Sequence, residues 1–322
     1  MIATDGWADL PPGLAGAAVA LGAFDGLHRG HAAVLAAART GAGGAEAGTA
    51  QAGRALRPLV VVAFEPPPKV FFAPPGTPAR RLTTPALRAE AAAALGADAL
   101  VALRFDAARA SQSPQDFAGE LLAALAPAHL AVGHDFRFGA GRAGDGALLA
   151  AACAARGTGF SQLEPVGDAS GERISSTRIR MALEAGDIAT ATNLLGRPWQ
   201  VEGVVEHGEK RGRSIGWPTA NFRLGMLVEP LHGIYTIRVR LPDGTVHGGV
   251  ANFGRTPTTG LRDPLFEAHL FDFAGDLYGQ RLVVELIAFQ RPEARFNGLD
   301  ELVAQIARDG EEARARLALL AP

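Results

Sequence analysis

Cysteine and long apolar runs are the features that this sequence of 322 residues most clearly lacks. Cys153 is the only cysteine, which excludes an intrachain disulfide and any metal site built from several thiolates. Because it stands among small residues, we expect a buried, unreactive thiol there. No uninterrupted apolar stretch approaches the roughly 18 residues that a membrane-spanning helix needs. The first ten residues carry two aspartates and no basic cluster, unlike a signal peptide, so we expect a cytoplasmic protein without a membrane partner.

A strong charge of either sign is also missing. The 31 basic and 33 acidic side chains give a net charge of −2, so no broad positive field is available to hold nucleic acid. Small anionic ligands need only local basic groups and are compatible with this composition. The length indicates about two domains, and a hydrophobic content of 48% is ordinary for folded proteins. Oligomerisation is left open.

Short apolar runs alternate with alanine-rich stretches in the first half of the chain. The alternation predicts strands joined by helices, hence an α/β domain with a Rossmann-like parallel sheet. Such sheets bind ligands beyond the carboxyl ends of their strands. Residues 40–55 are mostly glycine and alanine, which predicts a mobile loop. The predicted strands are Val19–Phe24, Leu59–Phe64, Ala99–Phe105, His129–Gly133 and Phe160–Val166.

The pattern of apolar and alanine-rich segments changes near residue 186. β-branched and aromatic runs then follow one another without helices between them, which predicts a small antiparallel β-barrel. An amphipathic helix is predicted at the end, over Leu299–Leu320. We therefore expect one domain over residues 1–186 and a second over residues 187–322. The predicted strands of the second domain are Gln200–Glu206, Ile234–Leu241, Thr245–Phe253, Leu265–Phe273 and Arg281–Gln290.

The segment Gly22–His31 reads GAFDGLHRGH and leads from a predicted strand into a predicted helix. Its glycines let the backbone approach a ligand, and the N–H groups at a helix N-terminus favour phosphate. His28 and His31 are three residues apart, so on a helical turn they project from one face and can donate hydrogen bonds to a phosphoryl group. The alternative is that these histidines only cap the helix.

A second phosphate-binding candidate follows the predicted sheet. Ser175 and Ser176 can cap a helix that starts at Thr177, with Arg180 one turn inside it. Hydroxyls, free N–H groups and a guanidinium would then converge on one point suited to a triphosphate. An ordinary capped helix with solvated arginines is equally compatible with these residues.

The second half contains a basic, glycine-rich segment, Gly203–Asn221, whereas a P-loop motif is absent from the sequence. Pro218 predicts a fixed turn, after which Thr219 and Asn221 present a hydroxyl and an amide oxygen. Hard oxygen ligands of this kind suit Mg²⁺ together with substrate phosphates. The alternative is a basic hairpin without a ligand.

Glu267 is an acidic residue inside an otherwise apolar predicted strand. It alternates with Phe266 and Ala268, so it faces away from the core, towards a cleft or solvent. From a cleft it can accept the proton of an attacking hydroxyl. A solvated carboxylate at a sheet edge is the alternative.

Further motifs run along both halves in a consistent order. The first half resembles the nucleotidyltransferase superfamily and, within it, the bifunctional riboflavin kinase/FMN adenylyltransferases, also called FAD synthetases; the second half resembles their riboflavin kinase module. The motifs of the first half are Gly22–His31, Phe64–Pro68, Arg81–Thr84, Ser113–Pro114, Val132–Gly139 and Ile174–Arg180. Those of the second half are Gly216–Asn221, Gly233–Tyr235, Val250–Gly254, Leu270–Phe273, Asp276–Gly279 and Arg291–Glu293 followed by Phe296.

The resemblance implies that ATP phosphorylates riboflavin to FMN and that a second ATP adenylylates FMN to FAD with release of pyrophosphate, with Mg²⁺ as cofactor. The catalytic residues that it implies are His28, His31, Arg180 and Glu267. For adenylyl transfer it places ATP on Gly22, Phe24, Asp25, Gly26, Asp135, Ser175, Ser176 and Thr177. For the kinase it places ATP on Gly208, Lys210, Gly212, Pro218, Thr219 and Asn221, with Mg²⁺ on Thr219 and Asn221. The implied flavin-binding residues are Phe64, Phe136, Asn252, Arg291 and Phe296.

The sequence departs from the family at two positions. Pro67 stands where many members have a polar residue, and Arg255 lies one place before the usual arginine. Gly139–Gly144 matches G-x-G-x-x-G, but it follows a loop instead of a strand, so we expect no NAD site. A flavin-binding regulator without catalysis and a tRNA-charging enzyme are rival functions. The retained catalytic residues oppose the first, and the missing basic surface opposes the second.

Overall fold

The computed structural model describes residues 2–8, 10–43, 57–77, 80–207, 217–255 and 264–320. Most of the predicted mobile loop 40–55 lies outside these residues. The chain divides into a first unit, Met1–Thr77 with Pro85–Ser175, and a second unit, Pro78–Thr84 with Ser176–Pro322. The domain boundary expected at residue 186 stays a prediction. No helix in the described ranges is long and apolar enough to cross a membrane.

The first unit is built on a parallel sheet of six strands in the order β1-β4-β3-β2-β5-β6. Its strands are β1 (Ile2–Asp5), β2 (Ala18–Leu21), β3 (Leu59–Glu65), β4 (Ala99–Arg104), β5 (His129–Gly133) and β6 (Gly159–Leu163). The five predicted strands are therefore confirmed, and the short edge strand β1 was not predicted. Because β2 ends at Leu21, the residues from Gly22 onward form a loop at the carboxyl edge of the sheet.

Helices cover both faces of this sheet. They are α1 (Arg29–Gly41), α2 (Pro68–Phe71), α3 (Pro85–Ala94), α4 (Ala107–Ser111), α5 (Pro114–Leu125) and α6 (Gly146–Ala154), with a 3₁₀ turn at Ala140–Arg142. Successive strand residues alternate between two cores: Val60 packs in the core that includes Phe117 of α5, and Val61 in the core that includes Leu35 of α1. Strands buried on both faces are typical of parallel sheets. Cys153 is buried as expected.

The second unit contains an antiparallel sheet of six strands in the order β7-β12-β9-β10-β11-β8. The strands are β7 (Trp199–Val204), β8 (Ala220–Phe222), β9 (Gly233–Arg240), β10 (Val246–Gly254), β11 (Leu265–Leu270) and β12 (Arg281–Arg291). Just beyond β7, the N–H of Glu206 donates to the carbonyl of Asn221 over 2.8 Å. This bridge joins the two edges, so the sheet curls into the predicted barrel.

The described residues of the second unit also form three helices, which are α7 (Ser176–Glu184), α8 (Ile188–Leu195) and α9 (Leu299–Ala318). The C-terminal helix α9 was predicted within two residues, and its Ala313 packs against Val250 of β10 and Phe271. The segment Pro78–Thr84 also belongs to this unit. Its Leu82 carbonyl accepts a hydrogen bond of 2.8 Å from Nε1 of the buried Trp199.

Candidate active sites

The loop that follows β2 has an unusual backbone. Phe24 and Leu27 have φ values of +50° and +41°, and Gly26 has +89°. Residues other than glycine rarely adopt this left-handed backbone conformation, and backbone strain of this kind is concentrated at ligand sites. The ring of Phe24 is buried, and Asp25 is only 8% exposed. The predicted nucleotide loop is therefore held in one conformation by its own buried side chains.

His28 and His31 lie together at the start of α1. His28 is the N-cap residue, and its Nδ1 accepts a hydrogen bond from the backbone N–H of His31 over 3.3 Å. The two rings stack, with centroids 3.6 Å apart and planes inclined by 13°. Because Nδ1 accepts, the proton of the neutral His28 ring is on Nε2, which makes Nε2 a donor. His28 therefore caps the helix, as the alternative expected, and the cap leaves Nε2 as the donor. Binding of a phosphoryl group by Nε2 stays a prediction.

Gly30 allows a close approach beside these rings. A Cβ atom at this position would lie 3.1 Å from Cε1 of His28 and 3.7 Å from the carbonyl oxygen of Ile174. The chain leading to Ser175 therefore passes the start of α1. Ser176, Thr177 and Arg180 belong to the second unit, where Nε of Arg180 donates to the carbonyl of Arg80 over 2.7 Å. The convergence of these three residues with the histidines stays a prediction.

Asp135 follows β5 at the same edge of the first sheet. Its Oδ2 is 2.6 Å from Nη2 of Arg173. Burial alone would raise the pKa of Asp135, but the hydrogen bond and the charge of Arg173 outweigh it, so the pKa is lowered. Arg173 was not among the predicted site residues, although it stands just before Ile174–Arg180.

Aromatic side chains line the same edge. Phe136 stacks on Phe138 with ring centroids 5.7 Å apart, and Phe64, only 6% exposed, packs edge-on against Phe105 at 5.7 Å. Phe105 also contacts Phe71 and Phe72, which are 38% and 66% exposed. Flavin contacts of Phe64 and Phe136 stay predictions. The adjacent pair Phe71 and Phe72, at the end of α2, was not among the predicted site residues, although two neighbouring aromatics soon after β3 were a visible signal.

Three polar residues stand side by side on three neighbouring strands of the second sheet. Glu267 of β11 pairs with Asn221 of β8 on one side and with Asn252 of β10 on the other. Directly paired residues project from the same face, so the three side chains form one row. Burial along β11 alternates strictly, with Phe266 and Ala268 fully buried on the opposite face. The predicted orientation of Glu267 is therefore confirmed.

His269 of β11 contacts the turn that precedes Asn221. Nδ1 of His269 is 2.9 Å from the carbonyl oxygen of Pro218, and its ring lies 4.5 Å from that of Trp217. Burial lowers the pKa of His269, which favours a neutral ring. Thr219 follows and is half-buried. Gly208, Lys210 and Gly212, the other kinase residues predicted for ATP, lie outside the described residues.

The donors at this turn fit a magnesium ion. Asn221 is 7% exposed, and its buried Oδ1 has no hydrogen-bond partner in the part of the chain that the structure describes. An unsatisfied oxygen is unfavourable in a protein interior, and a hard cation would satisfy it. In the described ranges no three His, Cys, Asp or Glu side chains are grouped for a metal. Mg²⁺ would therefore need Thr219, Asn221, substrate phosphates and water.

The remaining predicted flavin residues lie within β10, at the end of β12 and shortly after β12. Arg291 binds Asp309 of α9 through two hydrogen bonds, Nε to Oδ1 at 2.9 Å and Nη2 to Oδ2 at 2.6 Å. Its Cζ also lies 6.0 Å from the ring centroid of Phe296. Asn252 faces Glu293, whose Oε1 is 3.4 Å from Nδ2. The structure thus connects these residues to α9, while their contact with a flavin stays a prediction.

Comparison with known proteins identifies both halves. A family model described as riboflavin kinase matches residues 195–317, and one described as FAD synthetase matches residues 11–178. The bifunctional riboflavin kinase/FMN adenylyltransferase of Escherichia coli K12 is 42% identical over 310 residues, which cover 95% of each chain. The protein of that name from Listeria monocytogenes is 35% identical over 99% of this chain and 96% of its own.

A solved structure matches over nearly the same length. It is described as a macrolide-efflux protein from Streptococcus pneumoniae, is 30% identical, and superimposes with a TM-score of 0.82 over 97% of this chain and 98% of its own. Family models for both reactions and full-length relatives agree with each other. The chain is a transferase that belongs to the bifunctional riboflavin kinase/FMN adenylyltransferase family.

Proposed function

We propose that the chain makes FMN from riboflavin at the row Asn221–Glu267–Asn252 and makes FAD from FMN at the loop that carries His28 and His31. The observation that carries this assignment is the pairing of a carboxylate with a buried, unsatisfied amide oxygen on the neighbouring strand. A kinase needs both a base and an oxygen ligand for Mg-ATP. The first unit supplies the second reaction because its strained loop and paired imidazoles suit an anionic phosphate.

In the kinase reaction Glu267 acts as the general base. Its carboxylate takes the proton of the terminal ribityl hydroxyl as that oxygen attacks the γ-phosphorus of ATP. The new P–O bond forms FMN, and the bond from the γ-phosphorus to the bridging oxygen breaks, so ADP leaves with the electron pair. Thr219 and Asn221 would hold Mg²⁺, which supplies positive charge against the phosphates when bound. Gly208, Lys210, Gly212 and Pro218 complete the proposed ATP site.

In the adenylyl transfer an oxygen of the FMN phosphate attacks the α-phosphorus of ATP, and pyrophosphate leaves. This nucleophile is already anionic, so no general base is needed. Nε2 of His28, together with His31 and Arg180, stabilises the negative charge that develops. The proposed ATP site consists of Gly22, Phe24, Asp25, Gly26, Asp135, Ser175, Ser176 and Thr177. Phe64 and Phe136 contact the flavin of FMN.

Paired substitutions test whether the sites are separate. Glu267→Gln keeps the shape of the side chain and removes the base, so we expect riboflavin phosphorylation to fall by about 10²–10⁴-fold. FAD formation from added FMN should stay within twofold of the parent. His28→Ala should show the reverse pattern, because it removes a donor to the transferring phosphoryl group. Both activities are followed by separating riboflavin, FMN and FAD after incubation with ATP and Mg²⁺.

The matched control is Glu311→Gln, an exposed carboxylate on α9 of the second unit, which should leave both activities unchanged. Equal loss of both activities in either site variant would contradict the two-site assignment. Flavin binding without any turnover of ATP by the parent protein would favour the binding regulator instead.

A further inference from the structure

Asn252 lies between two carboxylates. Its Nδ2 is 3.4 Å from Oε2 of Glu267 and 3.4 Å from Oε1 of Glu293. A carboxamide nitrogen carries two hydrogens, and an ionised carboxylate only accepts. The nitrogen therefore has to face the two carboxylates, since the reverse orientation would set the amide oxygen against two further acceptors. This fixes the orientation of the amide.

In this orientation the amide oxygen of Asn252 points away from both carboxylates. Oδ1 of Asn252 is buried and has no hydrogen-bond partner among the described residues. Buried polar atoms in folded proteins almost always have a partner, and this oxygen can accept a hydrogen bond from a donor on a ligand. The residues on either side of it are Glu267, the proposed base, and apolar Ile234.

The chain just before Glu293 is fixed by the C-terminal helix. Arg291, two residues earlier, is bound to the buried Asp309 by the two-bonded ion pair described above. Gly254 leaves room for the Glu293 side chain, because a Cβ there would overlap Oε1. The ion pair and this glycine thus favour the position of Glu293 beside the Asn252 amide.

We propose that Asn252 is a positioning residue for Glu267 and that its Oδ1 accepts a hydrogen bond from the ribityl hydroxyl next to the one that is phosphorylated. Side chains of directly paired strand residues have Cβ atoms about 4.5–5.5 Å apart, which is a spacing that two adjacent hydroxyls of a polyol can span. The amide therefore orients the base and aligns the substrate chain in front of it. This inference rests on the proposed role of Glu267.

Two substitutions separate these functions. Asn252→Asp keeps the acceptor oxygen and replaces the donor by a charge that repels Glu267, so kcat for riboflavin should fall about tenfold to a hundredfold with KM nearly unchanged. Asn252→Leu keeps a similar side-chain shape and removes both the donor to Glu267 and the acceptor oxygen for the substrate. We therefore expect kcat to fall and KM to rise. A residue that only supports the fold would move both constants together in both variants.

A riboflavin analogue without the neighbouring hydroxyl tests the substrate contact directly. In the parent protein its KM should be about tenfold higher than that of riboflavin, and in Asn252→Leu the two substrates should have equal KM values. An equal KM in the parent, or an undiminished difference in Asn252→Leu, would overturn the contact. Because the parent comparison needs no variant, it stands even if a variant fails to fold.

Controls distinguish this inference from the proposed function. The circular dichroism spectrum reports the fold of each variant, and FAD formation from FMN reports that the first unit is intact. The exposed Asn193→Asp on α8 is the matched substitution. If Glu267→Gln retains FMN formation, the assignment of the base is wrong. If Glu267→Gln abolishes it while both Asn252 variants behave like the parent, only the positioning role is wrong.

Discussion

The ion pair between Arg291 and Asp309 leads to a quantitative prediction about the second unit. Asp309 is 5% exposed and Arg291 is 24% exposed at the side-chain level. Asp309 also accepts a hydrogen bond of 2.7 Å from Nε2 of Gln305. Asp309→Asn keeps the size of the side chain, removes its charge and turns an amide nitrogen towards the guanidinium. The arginine then lies partly buried without its counter-charge.

The size of the effect follows from burial. Breaking a fully buried ion pair from one side costs about 3–5 kcal/mol, and the part of Arg291 that water reaches reduces this figure. We therefore expect the free energy of unfolding of the second unit to fall by about 2–3 kcal/mol. With a typical urea dependence, the midpoint of unfolding should fall by about 1 M. Because Arg291 precedes Glu293, the riboflavin KM should also rise.

The matched control is Asp272→Asn. Asp272 also accepts two hydrogen bonds from one arginine, Arg314, at 2.8 and 2.9 Å, but its side chain is 76% exposed. Its φ of +56° is one that asparagine tolerates, so the substitution adds no backbone strain. Because water screens exposed ion pairs, no measurable change is expected there.

The assay is urea titration of each activity separately, since the protein has two units and need not unfold in one step. In Asp309→Asn the urea midpoint for loss of riboflavin phosphorylation should fall. The urea midpoint for loss of FAD formation from FMN should stay the same. Equal shifts in the Asp309 and Asp272 variants would refute the argument from burial.

Two further predictions concern the first unit. Burial lowers the pKa of His129, so the unfolded chain binds a proton more readily than the folded chain, and stability should fall as pH drops below about 6.5. The melting temperature should therefore fall further between pH 7.5 and pH 5.5 in the parent than in His129→Gln. A parent melting curve with no excess loss would contradict this. Arg173→Gln removes the cation beside Asp135, so the pKa of Asp135 should rise and the KM for ATP in FAD formation should increase several-fold, whereas riboflavin phosphorylation, measured in parallel, should not change. Equal effects on both reactions would argue against a local role.

Local patterns predicted the elements that carry their own signal. The β-branched runs of β3 and β9 and the amphipathic helix α9 all follow from nearby residues. The orientation of Glu267 also followed from its neighbours, because side chains alternate along any strand. The fold class and the orientation of Glu267 were therefore accessible from the sequence.

Elements defined by distant partners were not accessible. β1 and β8 have four and three residues, too few for a periodic pattern, and each exists through pairing with β4 or β11. Arg81 lies between β3 and α3 along the chain, yet its N–H donates to the carbonyl of Met226 over 2.9 Å. The pairs Asp135–Arg173 and Asn252–Glu293 join residues 38 and 41 positions apart. Nothing near such residues in the sequence identifies the partner.

The aromatic core of the barrel explains how the row Asn221–Glu267–Asn252 stays aligned. On the face opposite Asn221, Glu267 and Asn252, the neighbouring residues Phe222, Phe266 and Phe253 are fully buried. Phe266 pairs with each of the other two, with ring centroids 5.0 and 6.2 Å apart. A slip of one residue between these strands would carry every phenylalanine to the polar face and every polar side chain into the core. Burying the three rings therefore selects the one register in which the carboxylate stands between the two amides, so the packing that stabilises the barrel also sets the geometry of its chemistry.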